Sequence, residues 1–315
     1  MQIKKIKNEA GTILITTLLL LAVVMVIAVG MAERGQIDIK RTSQLLTAQQ
    51  AYAYVMPTEI WAFQTLRILP LTITKDTPLF QWPQIMPALP IPGGVVNAAL
   101  YDAQGQLYNL NNLKNTQYQP GFSDFMNTLV PDEKTGDTKF LMAAILSWLS
   151  PLGQETDILS DQYYLGLHPP YRAAHRLFVS SSELRLVKGI TPKAYSVLTP
   201  YLIALPEITP VNVNTASQAV LSANGFSLSD ADSIIAIRQG KGGFKSQSDF
   251  SGLPMMQNRH LSAQNYSIES TYFLLKSNIL LNRQELTVYT LLKRTKNDLK
   301  KTNDIKILWQ TRGTL

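Results

Sequence analysis

The sequence predicts an α+β fold in which a long N-terminal helix packs on antiparallel strands formed by the end of the chain. Three observations lead to this prediction. Residues 12–32 are an uncharged apolar run, and residues 33–66 continue with apolar side chains at near-helical spacing. Residues 270–313 alternate or run apolar, rich in β-branched and aromatic side chains, between Asn- and Asp-containing breaks, which is typical of a three-stranded meander. A helix followed much later by strands indicates the α+β class.

The apolar run at residues 12–32 is long enough to cross a membrane, because about twenty residues make about 30 Å of helix. Lys4, Lys5 and Lys7 precede it, and this charge bias holds an N-terminus in the cytoplasm while the rest of the chain is exported. A cleaved secretory signal is the alternative, with Ala28-Val29-Gly30 as its cleavage site. The run exceeds the usual apolar region of such signals, which is about 7–15 residues.

Three lysines, then Gly11, then an apolar helix that starts at once resemble a type IV prepilin leader, here residues 1–11. The resemblance implies that a prepilin peptidase cuts after Gly11 and exposes Thr12, which leaves residues 12–32 as a transmembrane and assembly helix. One departure is Thr16, the fifth mature residue, where prepilins usually carry Glu. Buried in hydrocarbon, that carboxylate is costly unless it is paired, so a subunit without it has an unusual place in a fibre.

The helix is expected to continue beyond the membrane through residues 33–66, with Ile39, Leu45, Leu46 and other apolar side chains on one face. Pro57 should kink it or divide it in two, since proline removes a backbone donor and crowds the preceding turn.

The middle of the chain reads mostly as short helices joined by turns. Residues 101–113 begin with a turn signal and continue as a short strand, residues 121–130 and 138–150 are predicted helices, and residues 181–205 read as helix, turn and helix. In residues 211–250 we expect one helix near Thr215 capped by Asn214, and a second helix from Ser229 to Arg238.

Residues 211–250 resemble a helix-hairpin-helix unit of competence DNA receptors, which also carry an N-terminal anchor. This resemblance implies a rival function, capture of DNA, in which backbone N–H groups of a glycine-rich hairpin hold phosphate with help from lysines. The hairpin after Gly225 contains bulky Phe226 and acidic Asp230, and the earlier turn contains Pro192, which has no N–H. A packing unit is the other interpretation, and on it we expect no nucleic-acid partner.

Composition excludes several classes of site. The 315 residues contain no cysteine, so disulfides and thiolate sites are absent from the chain. His168, His175 and His260 have neither metal-ligand nor catalytic-triad spacing, and no P-loop or dinucleotide fingerprint is present. We therefore expect no enzymatic activity. The net charge of +7 permits an anionic partner without requiring one.

A second resemblance covers nearly the whole chain in the same order. It is carried by the Tyr-Tyr pair at 163–164, Pro-Pro-Tyr-Arg at 169–172, SELRLVKGI at 182–190 and NVNTAS at 212–217, together with residues 101–113. These motifs are similar to those of the type II secretion minor pseudopilin K family (general secretion pathway protein K). Members of that family typically lack the glutamate that Thr16 replaces.

This resemblance implies a non-enzymatic subunit at the tip of a periplasmic pseudopilus, complexed with minor pseudopilins I and J and contacting other pseudopilins. It implies a pilin-like α+β domain made of residues 33–100 and 270–315. An α-helical domain with helix-hairpin-helix-like units, residues 101–269, is inserted into it. The location implied is the inner membrane of a Gram-negative bacterium, crossed once, with most of the chain in the periplasm.

The same resemblance implies a calcium site in the inserted domain, near the stretch SWLSPLGQETDILSDQYY. Calcium needs about 6–8 oxygen ligands, usually including several carboxylates. Glu155, Asp157 and Asp161 are the candidate ligands, with carbonyls and water completing the shell. The alternative is that these carboxylates form a solvated loop edge, because Ser150 and Leu152 stand where acidic residues are common in the family.

Overall fold

The structure of the protein is a computed structural model, and it describes residues 9–70, 81–130, 138–151, 161–257, 262–297 and 302–315. A long helix, α1, runs from Glu9–Ala53 and is followed by α2, Val55–Ile68. The predicted division near Pro57 is confirmed, and the break falls at Tyr54. Pro57 lies in the first turn of α2, where helical N–H groups have no intrahelical acceptor and a missing donor costs little.

The main sheet is antiparallel, and its strands follow the order β1-β3-β8-β9-β10, with β2 also paired to β3. The predicted C-terminal meander is confirmed as its last three strands. Three strands at residues 84–102 were not predicted from the sequence. The bounds are β1 Gln84–Ile85, β2 Leu89–Ile91, β3 Gly94–Asp102, β8 Tyr272–Leu281, β9 Gln284–Asn297 and β10 Thr302–Arg312.

The end of α1 and all of α2 cover one face of this sheet. Ala51 and Val55 are buried there, and Ala62 and Leu66 continue the same stripe along α2. Their spacing of three to four residues is the helical period that the sequence showed. On the sheet side the core includes Val96, Ala98, Leu100, Phe273, Leu275, Ile279, Val288 and Leu292.

Residues 103–271 lie between the two neighbouring strands β3 and β8. Most of the described residues of this segment lie in helices and turns, in agreement with the predicted helical insertion, and the exact domain boundaries remain a prediction. Two short parallel pairs join it internally, β4 Tyr108–Asn109 with β5 Leu202–Ile203, and β6 Val211–Asn212 with β7 Tyr266–Ser267. The α-helices of the inserted segment include α3 Gln119–Leu129, α4 Thr138–Leu149, α5 Pro192–Leu198, α6 Gln218–Ala223, α7 Leu228–Lys241, α8 Gln247–Ser251 and α9 Pro254–Gln257.

The helices predicted at residues 121–130 and 138–150 are confirmed as α3 and α4, and the one predicted at the start of residues 181–205 is a 3-10 helix, Ser181–Leu186. The predicted cap at Asn214 is wrong, because α6 begins at Gln218 and Ser217 caps it. The side chain of Asn214 instead exchanges two hydrogen bonds with the backbone of Phe244, thirty residues away. A local capping pattern was overridden by this long-range contact.

A close approach between α3 and the turn after α6 generates a stability prediction. A Cβ at Gly121 would lie 2.3 Å from the backbone N of Gly225 and 2.8 Å from the carbonyl O of Ala223. Gly121→Ala should therefore destabilise the protein by about 1–3 kcal/mol, because backbone atoms cannot yield as a side chain can. Thermal unfolding of the full chain in detergent micelles measures this.

The control is Gly240→Ala in α7, where nothing lies within 4 Å of the added Cβ. That change should be neutral or stabilising by up to about 1 kcal/mol, since alanine favours helix more than glycine does. Equal effects of the two substitutions would contradict the packing of α3 on this turn.

Candidate functional site

The first candidate surface is the exposed part of α1. Every side chain from Thr12 to Leu46 is exposed, apart from the half-exposed Gly30. The most apolar window of this helix has a mean hydropathy of 2.9, and none of it is buried. By length and composition it is the one helix in the described residues that could cross a membrane. So large an apolar surface is not stable in water and has to meet lipid or other helices.

Thr16 is uncharged and needs no oppositely charged partner from a neighbouring helix. Its hydroxyl donates to the carbonyl O of Thr12 at 3.1 Å or of Ile13 at 2.9 Å, within the same helix. Because the side chain is neutral and satisfied locally, it can lie in hydrocarbon without a partner. Gly11 and Thr12, the predicted processing residues, lie at the start of α1.

Beyond the predicted membrane span, one face of α1 presents a shallow groove. Ile39 and Leu46 are 71% and 55% exposed, two turns apart on one side of the helix. Thr42 and Ser43 lie between them in the same groove. The sheet covers α1 only near its C-terminal end, so this face is open to contact with another helix.

The second candidate feature is a junction of buried polar groups where the inserted segment meets the sheet. Asp102, the last residue of β3, is fully buried. Its Oδ2 accepts from Asn212 Nδ2 at 3.0 Å, Thr215 Oγ1 at 2.6 Å and Ser270 Oγ at 2.7 Å. Its Oδ1 accepts from the N–H of Gln104 at 3.0 Å. Burial raises the pKa of Asp102, and the hydrogen bonds from Thr215, Ser270 and Gln104 oppose that rise.

Gln104 completes the junction. Its Oε1 accepts from the N–H groups of Thr271 and Tyr272 at 2.5 and 3.0 Å. Its own carbonyl accepts from the N–H of Asn212 at 3.1 Å. Both ends of the inserted segment are therefore joined to the same few side chains. The sequence predicted only a turn at the start of residues 101–113. It did not predict the junction, because the residues that form it lie far apart along the chain.

The predicted calcium ligands are only partly described. Glu155 and Asp157 lie outside the described residues. Asp161 Oδ1 accepts from the N–H of Ala173 at 3.3 Å and contacts His175 Nε2 at 3.2 Å. Within the described ranges no group of three or more acidic or histidine side chains is arranged to hold a metal.

The hairpin that suggested DNA binding uses its backbone N–H groups internally. The N–H of Gly225 donates to the carbonyl of Ser222 at 3.0 Å, and that of Phe226 donates to the carbonyl of Leu221 at 3.2 Å. Phe226 is buried in the core rather than presented to a ligand. The N–H groups of Gly225 and Phe226 are therefore not available to hold phosphate, as a binding hairpin would require of them.

The chain is similar to known proteins of one family. Two models described as "Type II secretion system (T2SS), protein K" match residues 106–207 and 211–269. The Type II secretion system protein K of Pseudomonas aeruginosa is 31% identical over 304 residues, which cover 90% of this chain and 89% of the relative. The chain belongs to the type II secretion system protein K family. The Aeromonas hydrophila protein K is 29% identical over 265 residues, 75% of this chain and 78% of the relative.

A solved structure supports the fold of this protein K chain. The structure titled as the GspK-GspI-GspJ complex from the enterotoxigenic Escherichia coli Type 2 Secretion System contains a chain that matches with a TM-score of 0.68 at 23% identity. The match covers 87% of this chain and 100% of that one. The predicted α+β fold with a long N-terminal helix is thus confirmed, and the family resemblance read from the sequence is confirmed as well.

Membership of this family bears on the two features described above, the exposed helix and the polar junction. Protein K is a minor pseudopilin, a structural part of the secretion system, and one apolar helix near the N-terminus agrees with a membrane-anchored chain of this family. The helix-hairpin-helix-like units are not shown by the family match. The exposed helix and the polar junction are therefore the candidate functional features of this protein K.

Removing the carboxylate of Asp102 tests the junction. Asp102→Ala removes the shared acceptor of four buried donors, and each donor left unsatisfied costs about 1–3 kcal/mol. We expect a total loss of at least about 3 kcal/mol, measured by thermal unfolding of the full chain in micelles. Asp124→Ala is the control, since Asp124 is exposed on α3 and its change should stay within about 0.5 kcal/mol. Equal small effects would contradict the role of the junction.

Proposed function

We propose that this chain is a minor pseudopilin at the tip of the type II secretion pseudopilus, where it joins minor pseudopilins I and J. In this role it initiates and caps the fibre and supports the export of folded proteins across the outer membrane. The observation that carries the proposal is the combination of a helix with an exposed apolar length, residues 12–46, and a large inserted segment. The helix bundles with the helices of its partners, and the bulk of residues 103–271 obstructs the addition of a further subunit above it.

Three further points support this role. The complex that contains the structural neighbour has I and J as its other components by title. Thr16 replaces the charged residue that would pair with the amine of a neighbouring helix, as fits a terminal subunit. The two exposed residues Ile39 and Leu46 extend the contact face beyond the membrane span. The mechanism is assembly and involves no catalysed reaction.

The proposed location is the inner membrane of a Gram-negative bacterium, with residues beyond the apolar run in the periplasm. Prepilin peptidase acts on the cytoplasmic side and cuts between Gly11 and Thr12. DNA capture receives no support from the N–H groups of Gly225 and Phe226, which donate within the chain.

Assembly through the open face of α1 is tested by co-purification. Leu46→Asp places a charge in the proposed helix contact and should lower recovery of co-expressed I and J from the same organism at least about tenfold, because burying an unpaired carboxylate is costly. Gln44→Asp introduces the same charge at an exposed position on the opposite side of the helix and should change recovery little.

Unchanged recovery with Leu46→Asp, or an equal loss with both variants, would contradict this face as the contact. Salt-sensitive binding of the wild-type chain to duplex DNA, without association with I and J, would contradict the proposed function as a whole.

Processing is tested by the mass of the mature N-terminus. We expect the chain isolated from membranes to begin at Thr12, and Gly11→Val to remain uncut because a branched side chain replaces the small one at the cleavage site. Gly30→Val is the control, since nothing lies within 4 Å of a Cβ there, and its cut should be normal. A mature chain that begins at Met31 or Glu33 would identify an ordinary secretory signal instead.

Calcium binding by Glu155, Asp157 and Asp161 is part of the proposal. Calcium at saturating concentration should raise the unfolding temperature of the full chain, because a ligand that binds only the folded state stabilises it. Asp157→Asn should reduce that shift, whereas magnesium, which prefers octahedral geometry with more retained water, should give a smaller one. No shift with calcium, or the same shift in Asp157→Asn, would count against these ligands.

A further inference from the structure

A polar cleft lies where the approach to β1 meets the inserted segment. Its volume is about 280 Å³. One wall consists of Gln81 and Trp82, which precede β1 in the sheet. The other wall consists of residues from α7 and from the turn before α6, namely Asn214, Thr215, Arg238 and Gln239.

Among the described residues that line the cleft, only Arg238 carries a positive charge. Its Nη1 donates to the carbonyl O of Val213 at 3.0 Å and of Ala216 at 2.6 Å. Both partners are neutral, and within the described ranges no carboxylate lies at ion-pair distance from the guanidinium. Its Nε and Nη2 donors have no partner in that part of the chain. A guanidinium so enclosed is costly without a counter-charge.

A second donor in the lining is also without a partner. The side chain of Gln239 is exposed and makes no hydrogen bond among the described residues. By contrast, Asn214 and Thr215 are already engaged, with Phe244 and Asp102 respectively. The cleft thus offers donors and a positive charge without an acceptor to match them.

We propose that this cleft binds a small oxyanion, a carboxylate or a phosphate, through the guanidinium of Arg238. Arginine presents a planar fork that holds such groups by two parallel hydrogen bonds. The volume suits inorganic phosphate or a small di- or tricarboxylate such as citrate. Burial lowers the pKa of Arg238 to about 10, so the guanidinium stays charged at neutral pH.

A bound anion would have a structural consequence. It would bridge the Trp82 wall, which belongs to the sheet, and the Arg238 wall, which belongs to the inserted segment. Because the anion binds only when both walls are in place, it should stabilise the folded chain as its concentration rises.

The test is isothermal titration of the full chain in non-ionic micelles with inorganic phosphate and with citrate, at constant ionic strength. We expect saturable binding of one anion per chain and a rise in unfolding temperature. Arg238→Gln should weaken binding at least about tenfold, because it removes the charge and the fork. Lys241→Gln is the matched control: it removes the same charge one turn further along α7, from an exposed residue outside the cleft lining, and should leave binding unchanged.

A second variant keeps the test valid if Arg238→Gln fails to fold. Gln239→Glu changes an exposed residue and places a carboxylate beside the guanidinium, where it should compete with the anion and weaken binding at least about tenfold. Absence of saturable binding in the wild-type chain, or equal binding in this variant, would overturn the proposal. Tighter binding of a short DNA duplex than of either anion, with the same dependence on Arg238, would overturn it too and indicate a nucleic-acid surface.

Discussion

The fold depends on the junction around Asp102. β3 and β8 are neighbours in the sheet, yet residues 103–271 separate them along the chain, and closing so long a connection costs conformational entropy. Asp102 and Gln104 lie where the chain leaves the sheet. They accept hydrogen bonds from the returning chain, Asp102 from the Ser270 hydroxyl and Gln104 from the N–H groups of Thr271 and Tyr272. The pairing of Asp102 with Phe273 in the ladder is thereby fixed at the point where the insertion begins and ends. A carboxylate is tolerated in this buried place because four donors satisfy it.

The second constraint is the surface of α1. Only its last turns, from Thr47, are covered by the sheet, and the preceding apolar length is exposed. A chain built in this way is incomplete in isolation, since its longest helix gains stability only from lipid or from other helices. The Asp102 junction and helix α1 therefore have different structural roles. One holds the insertion on the sheet, and the other attaches the whole unit to a membrane assembly.

The elements that were predicted correctly have a local signal. Hydropathy and periodicity were enough for α1, α3, α4 and the C-terminal meander, because each buries or exposes a regular face. Strands β1–β3 were missed, since prolines and glycines interrupt their alternation. They are held by pairing, β3 with the distant β8, and β1 and β2 with β3. The cap assigned to Asn214 was wrong because its partner, Phe244, is distant. The Asp102 junction could not be predicted at all, since Asn212, Thr215 and Ser270 give no pattern around residue 102.

Native-state hydrogen exchange of the full chain in micelles is the most direct test of the central claim that the junction unites sheet and insertion. We predict that the N–H groups of Gln104, Asn212 and Tyr272 open with the same free energy as those of Leu275 and Ile279 in the middle of β8, because one cooperative unit must unfold to release them. Exchange of the junction amides at the rate of exposed turns, while β8 stays protected, would contradict the account.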